Sequence, residues 1–133
     1  MKKELDVVAA LIREDSKILL CQRNQDDHYA NLWEFPGGTV EQGESHPQAL
    51  AREMAEELGV EVKVDRLLGE FFDEDENLKI KVFLFYCKIE RGSLSAKDCQ
   101  NFGFFSFAQA KNLNLAPVDK KIYGYLSITL EEI

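Results

Sequence analysis

Cysteine, long apolar runs and surplus positive charge are all scarce in this chain, and each shortage excludes something. Only three cysteines occur among 133 residues, at positions 21, 87 and 99. An odd number at wide spacing makes neither a disulfide framework nor a CxxC metal site. Cys21 and Cys87 fall in apolar, strand-like runs and read as small buried hydrophobes. No apolar run approaches the roughly 20 residues that span a bilayer; Val7–Ile12 and Val82–Cys87 are strand-sized. After Met1-Lys2-Lys3 the chain turns acidic, without a small-residue cleavage site, so no signal peptide is expected. Sixteen basic residues face 24 acidic ones, a net charge of −8. That balance, with no basic stripe, disfavours nucleic acid and anionic membrane as partners. No repeat, low-complexity tract or linker is visible. The expectation is a reduced, cytoplasmic, single domain over residues 1–133, monomer or homodimer.

What is present is a well-patterned globular sequence, 45 % hydrophobic and 30 % charged. Leu5–Arg13 and Lys17–Arg23 read as strands joined in a hairpin by the turn Glu14-Asp15-Ser16. Asn24–Asn31 is a polar loop, and Trp33–Gly43 is extended. Ser45–Leu58 is the clearest helix. Ser45 and Gln48 make a capping-box pattern, Pro47 sits in the first turn, and Gly59 follows as the stop. Leu50, Met54 and Leu58 give it an apolar face. Val60–Phe72 and Leu78–Ile89 are further strands around the acidic turn Asp73–Asn77, and the second is apolar on both faces and so central. Phe102–Phe107 is a short strand, Phe107–Asn112 a helical turn, and Pro117–Glu132 a last helix. The expected fold class is α/β or α+β, a mixed sheet between helices.

The acidic residues are not spread evenly. Between Glu34 and Glu61 there are seven acids and one base, Arg52. Glu53, Glu56 and Glu57 stand at i, i+3 and i+4 on one helix face, expected on the far side from Leu50–Met54–Leu58. Like charges at this spacing repel, Arg52 offsets one of them, and the rest suit a hard cation such as Mg²⁺ or Mn²⁺. A merely solvated acidic face is the plain structural alternative, but it leaves the Gly37-Gly38 pair and Glu44 unexplained. Paired glycines let backbone approach a ligand closely. Divalent cations would invert the local sign of this segment.

Gly38, five residues, Glu44, seven residues, then Arg52-Glu53-Met54-Ala55-Glu56-Glu57-Leu58-Gly59-Val60 is similar to the 23-residue Nudix box. The segment Trp33–Gly38, the pair Gln22-Arg23 and Ala116-Pro117-Val118-Asp119 extend the resemblance to the MutT branch over nearly the whole chain. The resemblance implies the Nudix fold and a Mg²⁺-dependent hydrolase that converts a nucleoside triphosphate to monophosphate and pyrophosphate, cleansing the nucleotide pool. It makes Glu53, Glu56 and Glu57 metal ligands and catalytic carboxylates, with a backbone carbonyl from Gly37 or Gly38. Arg52 orients a glutamate, and Glu44 acts in support, through Arg52. Asp98 is the counterpart of a loop carboxylate near the metals, where glutamate is usual; a solvated loop residue is its plain reading. Thr39 stands where many relatives carry lysine. Arg23, Phe35 and Asp119 match substrate-binding positions. Each also has a structural reading: a strand-end charge, a core aromatic and a helix-capping acid. Asp119 is an acceptor when ionised and also a donor when protonated, so cytidine-type and oxidised purine bases both remain open. A Nudix hydrolase of ADP-ribose or of a dinucleoside polyphosphate, and a non-catalytic nucleotide-binding module, are the alternatives.

Overall fold

The computed structural model describes residues 2–130. The elements are β1 (Lys3–Leu11), β2 (Arg13–Glu14), β3 (Lys17–Gln22), β4 (Trp33–Glu34), β5 (Gly37–Thr39), α1 (His46–Leu58), β6 (Glu61–Glu74), β7 (Leu78–Arg91), β8 (Asn101–Phe105), α2 (Phe107–Lys111) and α3 (Pro117–Thr129). They form two sheets. One has the order β5-β1-β7-β6, with β1 and β7 parallel and the other pairs antiparallel. In the other, β3 pairs with β2 and β4 on one side and β8 on the other.

Side-chain alternation builds a layer on each face. Val8 and Ala10 of β1, Leu19 and Cys21 of β3, and Phe85 and Cys87 of β7 pack with Ala49, Leu50, Met54 and Leu58 of α1. Their odd–even partners, Ala9, Leu11, Ile18, Leu20, Val82 and Leu84, pack with Val118, Ile122 and Leu126 of α3. This is the expected mixed sheet between helices. β7 is central, as its two apolar faces require. All three cysteines are free and buried.

The expected hairpin of Leu5–Arg13 with Lys17–Arg23 does not form as a whole. β1 already has β5 on one edge and β7 on the other, so no edge remains for β3. The chain leaves the first sheet at Ile12, and only Arg13-Glu14 pairs back onto β3. The extended segment Trp33–Gly43 divides likewise, with β4 in one sheet and β5 in the other. The last helix ends at Thr129 in the described residues, and Glu132, its expected end, lies outside them.

α1 is capped as its sequence dictates. The Gln48 backbone N–H donates to Ser45 Oγ (3.2 Å), and Gln48 Oε1 accepts from the Ser45 N–H (2.9 Å). Gly59 closes the helix with φ +72°, a left-handed conformation glycine adopts without a Cβ penalty. The following loop returns to the helix end, where Ser95 N donates to the Leu58 carbonyl, and Lys97 N and Asp98 N to that of Glu57.

Candidate active site

Strand β5 lies against β1, and its Gly38 lies against α1. The Gly38 Cα is pressed so closely on the Glu53 carboxyl that a Cβ there would stand 2.3 Å from its Cδ. The backbone at Gly38 and the acidic helix therefore make one surface.

Arg52 organises that surface. Its Nε donates to Glu44 Oε2 (2.7 Å) and its Nη2 to Glu44 Oε1 (3.0 Å), a bidentate fork. Nη1 donates to Glu53 Oε1 (2.8 Å) and Glu56 Oε2 (3.1 Å), and Nη2 also to the Thr39 carbonyl (3.0 Å). Glu44 Oε1 further accepts from the Glu41 N–H (2.9 Å). The fork holds the Glu44 carboxyl below its ordinary pKa, while burial pushes Glu53 up against the pull of Arg52. Thus one guanidinium hydrogen-bonds three carboxylates, stands 3.7 Å from that of Glu41, and ties the loop before α1 to the helix.

Glu57 departs from the expected arrangement. The three glutamates do not share one exposed face: Glu57 is buried, at 9 % exposure, while the Glu56 side chain is 60 % exposed. The reason is angular. At about 100° per residue, Glu57 points roughly 20° from Leu50, at the border of the apolar face rather than opposite it. Its Oε1 has no hydrogen-bond partner. Burial pushes its carboxyl up to about 9, with Glu34 and Cys99 adding to the rise. An orphaned buried carboxylate oxygen is costly unless a donor or cation meets it. Among the described residues no three His, Cys, Asp or Glu side chains already converge on a metal position. Glu53 and Glu56 are drawn onto Arg52 instead. The donor chemistry, hard oxygens with one left unpaired, fits a divalent cation.

A cavity of about 210 Å³ opens on the other side of the glycine pair. Arg23, Phe35 and Asp119 line it together with Gly37 and Gly38. Asp119, at 5 % exposure in the first turn of α3, accepts from the Phe35 N–H with Oδ1 (2.9 Å). Burial first, and Glu34 second, hold its carboxyl well above the usual range. Phe35 belongs to the α3-side core and also lines the cavity, so its two readings coexist. Arg23 is no free strand-end charge: its Nη1 donates to both Glu34 oxygens (3.0 and 3.2 Å) and its Nε to the His28 carbonyl (2.6 Å). Asp98 is exposed. Its backbone meets the α1 end, and its Oδ1 lies 3.5 Å from Asn24 Nδ2.

Glu34 is the residue that sequence reasoning passed over. It lines the cavity, pairs with Arg23, and burial raises its carboxyl despite that pairing. Its signal was its place in Trp33–Gly38, yet no sequence rule says which of two successive side chains faces a cavity.

Glu34, Glu53, Glu57 and Asp119 all hold protons more tightly folded than unfolded. A raised carboxyl means the folded state binds more protons, so stability falls as pH rises between the unfolded and folded values. The metal-free protein is therefore expected to lose stability from about pH 4.5 up to about 9, the window of Glu57. The depressed carboxyl of Glu44 acts in the opposite sense, below that window. Thermal melts in EDTA across the window check this, and a melting temperature that climbs with pH would refute it.

The glycine-bearing strand and the carboxylate helix thus meet within a mixed sheet that has helices packed on both faces. Residues 2–126 match the NUDIX domain model. A CTP pyrophosphohydrolase of Escherichia coli (strain K12) is 40 % identical, over 88 % of this chain and 87 % of that protein. An 8-oxo-dGTP diphosphatase of Haemophilus influenzae is 42 % identical, over 64 % and 62 %. The solution structure of the E. coli ORF135 protein superimposes with TM-score 0.83 at 35 % identity, covering 98 % of this chain and 94 % of that one. The chain belongs to the Nudix family. No helix among the described residues is long and apolar enough to cross a membrane.

Proposed function

We propose that this chain is a Mg²⁺-dependent pyrophosphohydrolase that converts nucleoside triphosphates to monophosphate and pyrophosphate, a MutT-like cleanser of the nucleotide pool. The single observation that carries this reading is the glycine pair. Its Gly38 touches the acidic helix, and both glycines line the cavity holding Arg23, Phe35 and Asp119. A ligand in that cavity has its charged end beside α1. At about 210 Å³ the cavity is smaller than the roughly 300 Å³ at which whole-ligand pockets begin. It suits a base, with the phosphates outside along Gly38. The names of the CTP and 8-oxo-dGTP relatives agree with such a substrate.

Glu53, Glu56 and Glu57 are the residues to hold the metal, with a carbonyl of Gly37 or Gly38 and Asp98 as the loop carboxylate. When bound, divalent cations offset phosphate charge and acidify water. The chain's own groups do the rest. Arg52 fixes the orientation of Glu53 and Glu56, and Glu44 fixes Arg52. A box carboxylate takes the proton of the attacking water; Glu53, with its raised pKa, is suited to that role. Asp119, its carboxyl held above the usual range by burial, is the polar group facing the base, while Phe35 supplies an apolar wall. Small nucleotides are its partners rather than nucleic acid, and a single domain, monomeric or dimeric in the cytoplasm, suffices.

Initial rates across CTP, dCTP, UTP, GTP, 8-oxo-dGTP and ADP-ribose, with products identified by phosphorus NMR, test this reading. Monophosphate and pyrophosphate are expected, lost in EDTA and restored by Mg²⁺. Orthophosphate as product, or turnover of ADP-ribose alone, would overturn it. Equal rates on every base would remove the base-reading role of Arg23 and Asp119.

A further inference from the structure

The end of the cavity away from the glycine pair is built from the 24–31 loop and the C-terminal end of strand β6, and neither has a role so far. Register makes its floor. Leu5 pairs with Ile80, and Ile80 with Asp73, so one cross-strand row runs Leu5–Ile80–Asp73 at about 4.8 Å per strand. The row is a flat apolar strip that ends in a carboxylate. Asp73 lines the cavity, half-buried, and Lys121 Nζ stands 3.9 Å from its Oδ1. No hydrogen bond among the described residues engages either of its carboxylate oxygens.

Tyr29 stands over the same cavity. Its φ is +57°, a conformation that costs free energy at a bulky residue and persists only when its surroundings impose it. Here they do. Arg23 Nε holds the His28 carbonyl, Leu32 N donates to the Tyr29 carbonyl (3.2 Å), and the rings of His28 and Tyr29 pack at 4.1 Å. Tyr29 is thus held at the cavity wall by its backbone and by the His28 ring, although it is 37 % exposed.

We propose that Tyr29 and Asp73 set the base specificity of the nucleotide site: the Tyr29 ring covers one face of the base against the Leu5–Ile80 strip, and the Asp73 carboxylate accepts a hydrogen bond from an exocyclic amino group. The favoured substrates then carry amino-bearing bases such as cytosine, adenine or guanine. Uracil and thymine set a carbonyl oxygen against the carboxylate with no hydrogen between them, which is how a polar site rejects a near-isostere. Asp119 does not serve in the same way, because it is buried and its Oδ1 is engaged by the Phe35 N–H. This inference rests on the nucleotide reading above.

The test is Asp73→Asn, an isosteric change at a strand end. The ratio of kcat/KM for CTP over UTP is measured, with NMR titrations of CMP and UMP as a readout free of turnover. The wild type is expected to favour the cytidine forms by about tenfold or more, and Asp73→Asn to bring both ratios close to unity, because its amide can donate to the uracil oxygen. Tyr29→Leu is expected to weaken CMP and UMP alike, and Tyr29→Phe to restore both, since the ring and not the hydroxyl is used. Wild-type turnover of triphosphates with a ratio that Asp73→Asn leaves unchanged overturns this inference alone. A uniform fall over all bases also overturns it, by marking a structural role. A wild type that neither hydrolyses a triphosphate nor binds a monophosphate overturns the nucleotide reading and this inference with it.

Discussion

Replacing Glu57 by glutamine is expected to lower pyrophosphate release by on the order of 10³-fold, while leaving the metal-free fold intact. The two halves of this result have one cause. Glu57 is buried, its Oε1 is unpartnered, and its carboxyl is pushed up to about 9. At neutral pH without metal it is a neutral acid of nearly the same shape as glutamine, so the exchange removes no charge from the metal-free protein. With metal it must supply a charge that glutamine lacks. Losing the several kcal/mol of charge stabilisation a metal site provides corresponds to about three decades in rate. Binding linkage adds a second readout: ligand at 100 times its Kd raises stability by about 2.7 kcal/mol. Thermal melts with and without Mg²⁺ should show that rise for the wild type and lose most of it in Glu57→Gln. Full turnover by the variant would remove Glu57 from the proposed ligand set.

The second large effect separates two adjacent glycines. A Cβ on Gly37 would lie 1.9 Å from the Val8 carbonyl oxygen and 2.8 Å from the Ala9 Cα. Both are backbone atoms of β1, a strand with partners on each edge. Relief requires β5 to part from β1, so Gly37→Ala is expected to cost about 3 kcal/mol or more, a fall of about 10 °C in Tm. A Cβ on Gly38 meets the Glu53 carboxyl at 2.3 Å, the far end of a flexible side chain. That carboxylate can swing away, at the cost of its bond from Arg52 Nη1. Gly38→Ala is therefore expected to fold with a Tm near the wild type and to lose activity by about 10- to 100-fold, the usual cost of disturbing groups that orient a metal site. Melting curves and rates on the two variants check the contrast. Equal destabilisation of both would show that Glu53 is not free to move.

Much of this site is legible in the sequence. The spacing from Gly38 to Val60 names the helix, its cap, its stop and the carboxylates, because each is a local matter of a few residues. Arg23, Phe35 and Asp119, far apart in the chain, were named from resemblance, and they line one cavity. The choice between alternatives was not legible. Phe35 is both core and wall because it sits where the α3-side core meets the cavity. Asp98 reaches the end of α1 through its N–H, not its carboxylate, a matter of loop geometry that composition does not carry.

The sequence by itself determined the strands and helices, the acidic helix, the concentration of charge around it and the family. These follow from periodicity, capping and fixed spacing, which act over one or two turns of chain. Only the tertiary structure decided that β1 gives both edges to β5 and β7 and so cannot complete a hairpin with β3. It alone decided that Glu57 is buried and unpaired beside exposed Glu56, that Glu34 pairs with Arg23, and that Tyr29 and Asp73 face one cavity. Those outcomes depend on which faces meet across sheets. Burial and the pairing of charges are properties of the environment that distant segments create, not of the residue that feels it.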